Sequence, residues 1–200
     1  MTALLHACDR LVALTRLLSR WAARLIGLAL LAVVAFVTLE VIRRKLTGES
    51  LDGVQEYSGY MLAILSSWGL AHTLIEKAHI RIDLGYSRLP TWLQAVLDLV
   101  AISALNLVSW LIMLHAWPVL ATSLHNHATA NTPLSTPLWI PQLIWVLGYS
   151  WFALTTSVLG VRSLLAALMG DRPTLTTLIG MNDETVSSTD PDPSSMKESR

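Results

Sequence analysis

The chain has 200 residues, 53% hydrophobic and 14% charged, with a formal net charge of zero. Soluble domains carry about 25% charged residues, so this composition excludes an ordinary soluble class and points to the membrane. The charge balance argues against a nucleic-acid partner, and the single cysteine, Cys8, excludes an internal disulfide and a cysteine metal cluster.

In chain order, residues 4–24 read as an amphipathic helix. Leu4, Cys8, Leu11 and Leu18 share one face; Asp9, Arg16, Arg20 and Arg24 share the other. We assign residues 1–20 to this helix, in the cytoplasmic headgroup layer or against a partner. Asp9, Arg10 and Arg16 interrupt the apolar run and no cleavage site follows, unlike a signal peptide.

Residues 21–172 form the expected transmembrane domain. A crossing helix needs about 20 mostly apolar residues. Leu25–Leu39 is uncharged and anchors a first span over 21–42; a second follows over 57–75. Between Asp98 and Arg162 there is no Asp, Glu, Lys or Arg. That stretch is too long for one crossing, and the polar, turn-rich Ala121–Pro137 divides it. Two spans result, 92–120 and 138–162. Residues 173–200, rich in Ser, Asp and Pro, read as a mostly disordered tail. The fold class is therefore an all-α membrane protein, four transmembrane helices preceded by an amphipathic helix.

Placing both termini in the cytoplasm puts every Lys and Arg inside except Arg43, Arg44 and Lys45. Glu40 lies four residues before Arg44 and is positioned to pair with it. Arg43 or Arg44 also has Glu49 and Glu56 within reach in sequence. Asp98 and Arg162 fall on the same side and are candidates for another pair.

No catalytic motif, phosphate loop or cofactor pattern stands out, so neither an enzyme nor a bound cofactor is expected. His72 and His115 raise a haem-binding alternative, but antiparallel spans put them near opposite faces. His125 and His127 read as solvated loop residues rather than metal ligands. The second span carries small residues four apart, Gly59, Ala63, Ser67 and Ala71, a face along which helices pack closely. At the third span, Thr91 and Gln94 fit a T-x-x-Q capping box after Pro90.

The cytoplasmic connector "EKAHIRIDLGYSRLP", Glu76–Pro90, alternates more than a generic link requires: His79, Arg81 and Asp83 against Ile80, Ile82 and Leu84. With the preceding "WGLAHTLI", it resembles the signature of the small membrane subunit of tripartite ATP-independent periplasmic (TRAP) transporters, the DctQ family. His79, Ile80, Ile82, Asp83, Leu89 and Pro90 match. In "RKLTGESLDGVQEYSGYM", Arg44 and Glu56 match the outer connector, whereas Lys45, Thr47, Gly53 and Gln55 depart from it. The resemblance covers about residues 20–170 of the chain.

The resemblance implies a scaffold subunit in the bacterial inner membrane. It would pack on a large multi-span, DctM-like subunit that carries substrate and sodium, with organic acids delivered by a periplasmic binding protein. Arg44, Glu56, His79 and Asp83 would order the connectors or contact the other subunit. The competitors are a membrane cytochrome b-type subunit and a stand-alone four-helix channel or carrier. The cytochrome requires histidines that face one another, and the channel a polar path at mid-membrane; the sequence places neither.

Overall fold

A computed structural model describes residues 2–49, 53–77 and 89–171, with Thr174 and Leu178. These residues form four α-helices: α1 Thr2–Thr47, α2 Val54–Ile75, α3 Thr91–His125 and α4 Trp139–Leu168. The one β feature among them is an isolated bridge between Thr129 and Pro137. By length and composition, His6–Thr47, Trp92–His125 and Trp139–Leu168 are each apolar enough to cross a membrane. The second helix has 22 residues, hence a length of about 33 Å, and it packs on both α1 and α4.

The first helix corrects an expected boundary. The amphipathic segment and the first span are one continuous helix of 46 residues, about 69 Å long. A hydrocarbon core is about 30 Å thick, so much of α1 must extend beyond it. The buried face of the N-terminal part also differs from expectation. Val12, Thr15 and Ser19 are buried, whereas Leu11 and Leu18 are exposed. Two polar ties select that face. Arg162 in α4 donates from Nε to Asp9 at 2.7 Å, and Trp151 donates from Nε1 to Ser19 at 2.9 Å. The Arg162 partner expected from sequence was Asp98. Asp9 takes the place because α1 runs antiparallel beside the last turns of α4.

The third helix starts at Thr91 directly after Pro90, whose backbone is extended. Gln94 Nε2 reaches back to the Leu89 carbonyl, 3.1 Å away.

The hub is α4, which packs against each of the other three helices. In its apolar window 44% of residues are buried, against 6% in α1 and 17% in α3. One cluster joins Val12, Ala71, Ile102, Phe152 and Leu159; a second joins Ala116, Leu120 and Val146. Between α3 and α4 runs a polar seam. Asn106 donates to Thr156 and Ser157 at 3.1 and 2.8 Å, Ser109 bonds Thr156 at 2.9 Å, and Trp110 donates to Ser157 at 3.0 Å. Interhelical bonds inside membranes average about 0.6 kcal/mol each, so the seam contributes on the order of 2 kcal/mol. Close packing must supply the remainder.

The contact between α2 and α4 shows how tight that packing is. A β-carbon added to Gly148 would lie 2.4 Å from Ser67 Oγ and 2.9 Å from Ser67 Cβ, whereas one added to Gly59 would meet nothing within 4 Å. Gly148→Ala should therefore destabilise the protein by about 1–3 kcal/mol, the usual cost of overpacking. Ser67→Gly should recover part of the loss, and Gly59→Ala should be close to neutral. Thermal unfolding in detergent measures all three; equal effects at Gly148 and Gly59 would refute the close approach.

Candidate functional site: the start of α2 and its packing face

Two places gather the side chains singled out in the sequence. The first is the junction between the start of α2 and the loop from α3 to α4. Gly53 precedes α2 with φ +87°, a left-handed conformation suited to glycine. A β-carbon there would fall 2.0 Å from Leu134 Cδ1. Leu134 thus occupies the space that a side chain at position 53 would need.

Glu56 sits in the first turn of α2, where a carboxylate also meets the positive end of the helix dipole. It accepts hydrogen bonds from the Thr132 hydroxyl and from Tyr60 Oη, the latter at 2.7 Å. Thr132, then Tyr60 and Thr136, hold its carboxyl below the usual range, against a smaller opposing effect of burial. The loop is shaped to present these hydroxyls. Ala130 N bonds Thr136 O at 2.9 Å, Leu138 N bonds Ala128 O at 3.0 Å, and Ser135 N bonds Thr132 O at 3.0 Å. Glu56 thus ties two connectors that are 76 residues apart in sequence.

Of the partners expected for the basic cluster, Glu49 is the one that takes an arginine: Arg43 Nη2 lies 3.3 Å from Glu49 Oε2. The Arg44 side chain is exposed, and its carbonyl accepts from Gly48 N at 3.0 Å. Glu40 is buried. The carboxylate of Glu56 is engaged by hydroxyls rather than by the arginine suggested from sequence.

The second place is the small-residue face of α2, and the structure divides it. Ser67 and Ala71 are fully buried, with Ser67 against Gly148. Ala63 is half-buried and Gly59 exposed. Gly59 lines an open groove with Leu30, Val34, Val37 and Leu62, about 430 Å³ in volume. Trp68 Nε1 donates to the Ile144 carbonyl at 3.0 Å, just beside the close contact.

His79 and Asp83 lie outside the described residues, as do most of the connector over 76–90 and most of the tail. His115 Nδ1 donates to Leu111 O of its own helix at 2.8 Å. His125 is the last residue of α3, its Nδ1 3.2 Å from Asn126 Oδ1. Sequence reasoning missed Gly148, Thr132, Thr136 and the Asn106 seam. The signal for the seam was present as Asn106, Ser109, Thr156 and Ser157 inside apolar runs, since buried polar groups need partners.

Because the folded carboxyl of Glu56 titrates below its ordinary value near 4.5, its stabilising effect is present above that value. It is lost as pH falls through the lower folded one. Amide protection over residues 129–137 should therefore hold from neutral pH to about 5 and decline below 4.5. Glu56→Gln should lower it at neutral pH and flatten the dependence. Hydrogen exchange by mass spectrometry reads both, and an unchanged profile in the variant would remove Glu56 as the loop's anchor.

A family model described as "Tripartite ATP-independent periplasmic transporters, DctQ component" matches residues 33–166. That range contains both connectors, the packing face and the α3–α4 seam. Neither the curated proteins nor the solved structures yield a match. With its long apolar helices and two patterned connectors, the chain belongs to the DctQ family of small TRAP transporter membrane subunits.

Proposed function

We propose that this chain is the fixed scaffold of a secondary TRAP transporter of the bacterial inner membrane. The importer runs on a sodium gradient and takes up organic acids delivered by a periplasmic binding protein. The chain packs on the large DctM-like subunit, which holds substrate and sodium, and binds neither itself. It crosses the membrane four times with both termini in the cytoplasm. Arg44 and Glu56 order the outer connector or contact the large subunit; His79 and Asp83 do the same on the inner side.

The observation that carries this reading is how the polar groups inside the bundle are used. Asn106, Ser109, Trp110, Thr156 and Ser157 bond to one another across α3 and α4. Such a seam fastens helices together, and it suits a scaffold better than a conduction path, whose polar groups must stay open to a passing solute. The exposed apolar side of α1, from Leu25 through Leu31 to Leu39, fits a helix that faces lipid or a second membrane protein.

A tagged chain expressed in its native host should co-purify in mild detergent with a stoichiometric, multi-span membrane protein. Recovery of a stable, colourless chain alone would sink the scaffold reading. A red preparation would favour the cytochrome alternative. Orientation has its own test, since Cys8 is the single cysteine. A membrane-impermeant maleimide should leave it unlabelled in intact spheroplasts and label it after lysis. Labelling before lysis would reverse the topology.

A further inference from the structure

The N-terminal third of α1 carries a feature that packing against α4 does not use. A cavity of about 630 Å³ opens on the side of α1 that bears Arg16 and Arg20, with Val12, Ala13 and Leu17 from the helix and Leu178 as its apolar lining. We propose that it holds the headgroup of an anionic phospholipid of the cytoplasmic leaflet, with the phosphate between Arg16 and Arg20. The leaflet rests on the orientation proposed above; the site itself does not.

Charge complementarity is the first argument. The carboxylates around the cavity are already engaged. Asp9 is bonded to Arg162, and Glu76 accepts from Arg20 Nε at 3.0 Å. Asp171 takes both the amide and the hydroxyl of Thr174, another residue lining the cavity. Arg20 keeps 55% of its side chain exposed, and the bond to Glu76 uses Nε. Among the described residues Arg16 makes no ion pair. Arg16 and Arg20 are four residues apart on one helix and both line the cavity, so a phosphate there can accept from both.

The second argument separates a lipid from a free anion. The cavity adjoins the start of the long apolar part of α1. From it a row of side chains at helical spacing runs into that part: Leu17, Trp21, Leu25 and Leu28, exposed by 54%, 54%, 64% and 67%. An acyl chain lies along such a row, whereas inorganic phosphate gains nothing from it. The Arg24 guanidinium stacks 5.4 Å over the Trp21 ring, an arrangement suited to the headgroup level, where tryptophan and arginine are favoured. Basic pockets at the cytoplasmic ends of membrane helices select anionic headgroups.

Native mass spectrometry of the full chain, in whatever complex it is isolated, tests the site. The probes are dioleoylphosphatidylglycerol and dioleoylphosphatidylcholine. One phosphatidylglycerol should be retained in preference to phosphatidylcholine. Arg16→Gln should weaken it about five-fold, the worth of one basic residue near an anionic lipid. Ala13→Trp should weaken it while keeping every charge, because it fills the cavity from an exposed position; Ala13→Leu serves if the tryptophan variant does not fold. Arg43→Gln, an equal charge change at the far end of α1, should leave it intact. Three outcomes would overturn the proposal: equal retention of the two lipids, an equal loss in Arg43→Gln, or displacement by millimolar inorganic phosphate. The measurement is made in detergent and does not depend on topology or on the co-purifying subunit. A negative result would therefore leave the scaffold reading standing, and the failure of that reading would leave the lipid site standing.

Discussion

Helices in a bilayer gain nothing from hiding apolar surface from one another, because lipid is as apolar as leucine. They must be held by close contact and by hydrogen bonds, and in this chain both converge on α4. Gly148 lets Ser67 approach the α4 backbone, and Trp68 then reaches the Ile144 carbonyl in the same stretch. On the opposite flank, Asn106 and Ser109 fasten α3 to Thr156 and Ser157. From the middle of the helix to its last turns, Trp151 and Arg162 bring in α1. All three neighbours also meet around Phe152 and Leu159 of α4 in one core cluster.

This hub explains how the ends are organised. Once α2 and α4 are in register, the first turn of α2 lies beside the loop that leads into α4. Glu56 can then collect hydroxyls from Thr132 and Tyr60. Gly53 and Leu134 complete the fit, a glycine in a left-handed turn beside a leucine that would otherwise clash. The opposite end is held by charge. Arg20 with Glu76 and Arg162 with Asp9 attach the start of α1 to α2 and α4. The two pairs differ in kind. Arg20 and Glu76 are both well exposed, so their pair contributes little. Arg162 is nearly buried, and there the loss of its partner would leave a charge with little access to water.

The division of the small-residue stripe has a functional side. Ser67 and Ala71 are consumed by packing within the chain, whereas Gly59 opens onto the groove between α1 and α2. A stripe that looks uniform in sequence thus serves two purposes along its length. The inner part builds the bundle. The outer part remains available to lipid or to another membrane protein.

Much of the architecture was legible in the residues themselves. Apolar runs of sufficient length, broken by the polar Ala121–Pro137, determine where helices begin and end, because a membrane crossing admits few alternatives. The connector "HIRIDL" and the Arg44 and Glu56 positions carried the family. What the sequence could not supply was which polar group meets which. Asp98 was the partner the sequence offered for Arg162, and the structure gives Asp9, 153 residues away; Glu56 faced arginines nearby in sequence and bonds a threonine 76 residues away. Periodicity ranks the residues of one helix by face, but it carries no information on how two helices are rotated and shifted against each other. That choice belongs to the tertiary structure, where the approach at Gly148 fixes the register between α2 and α4, and the register decides the pairs.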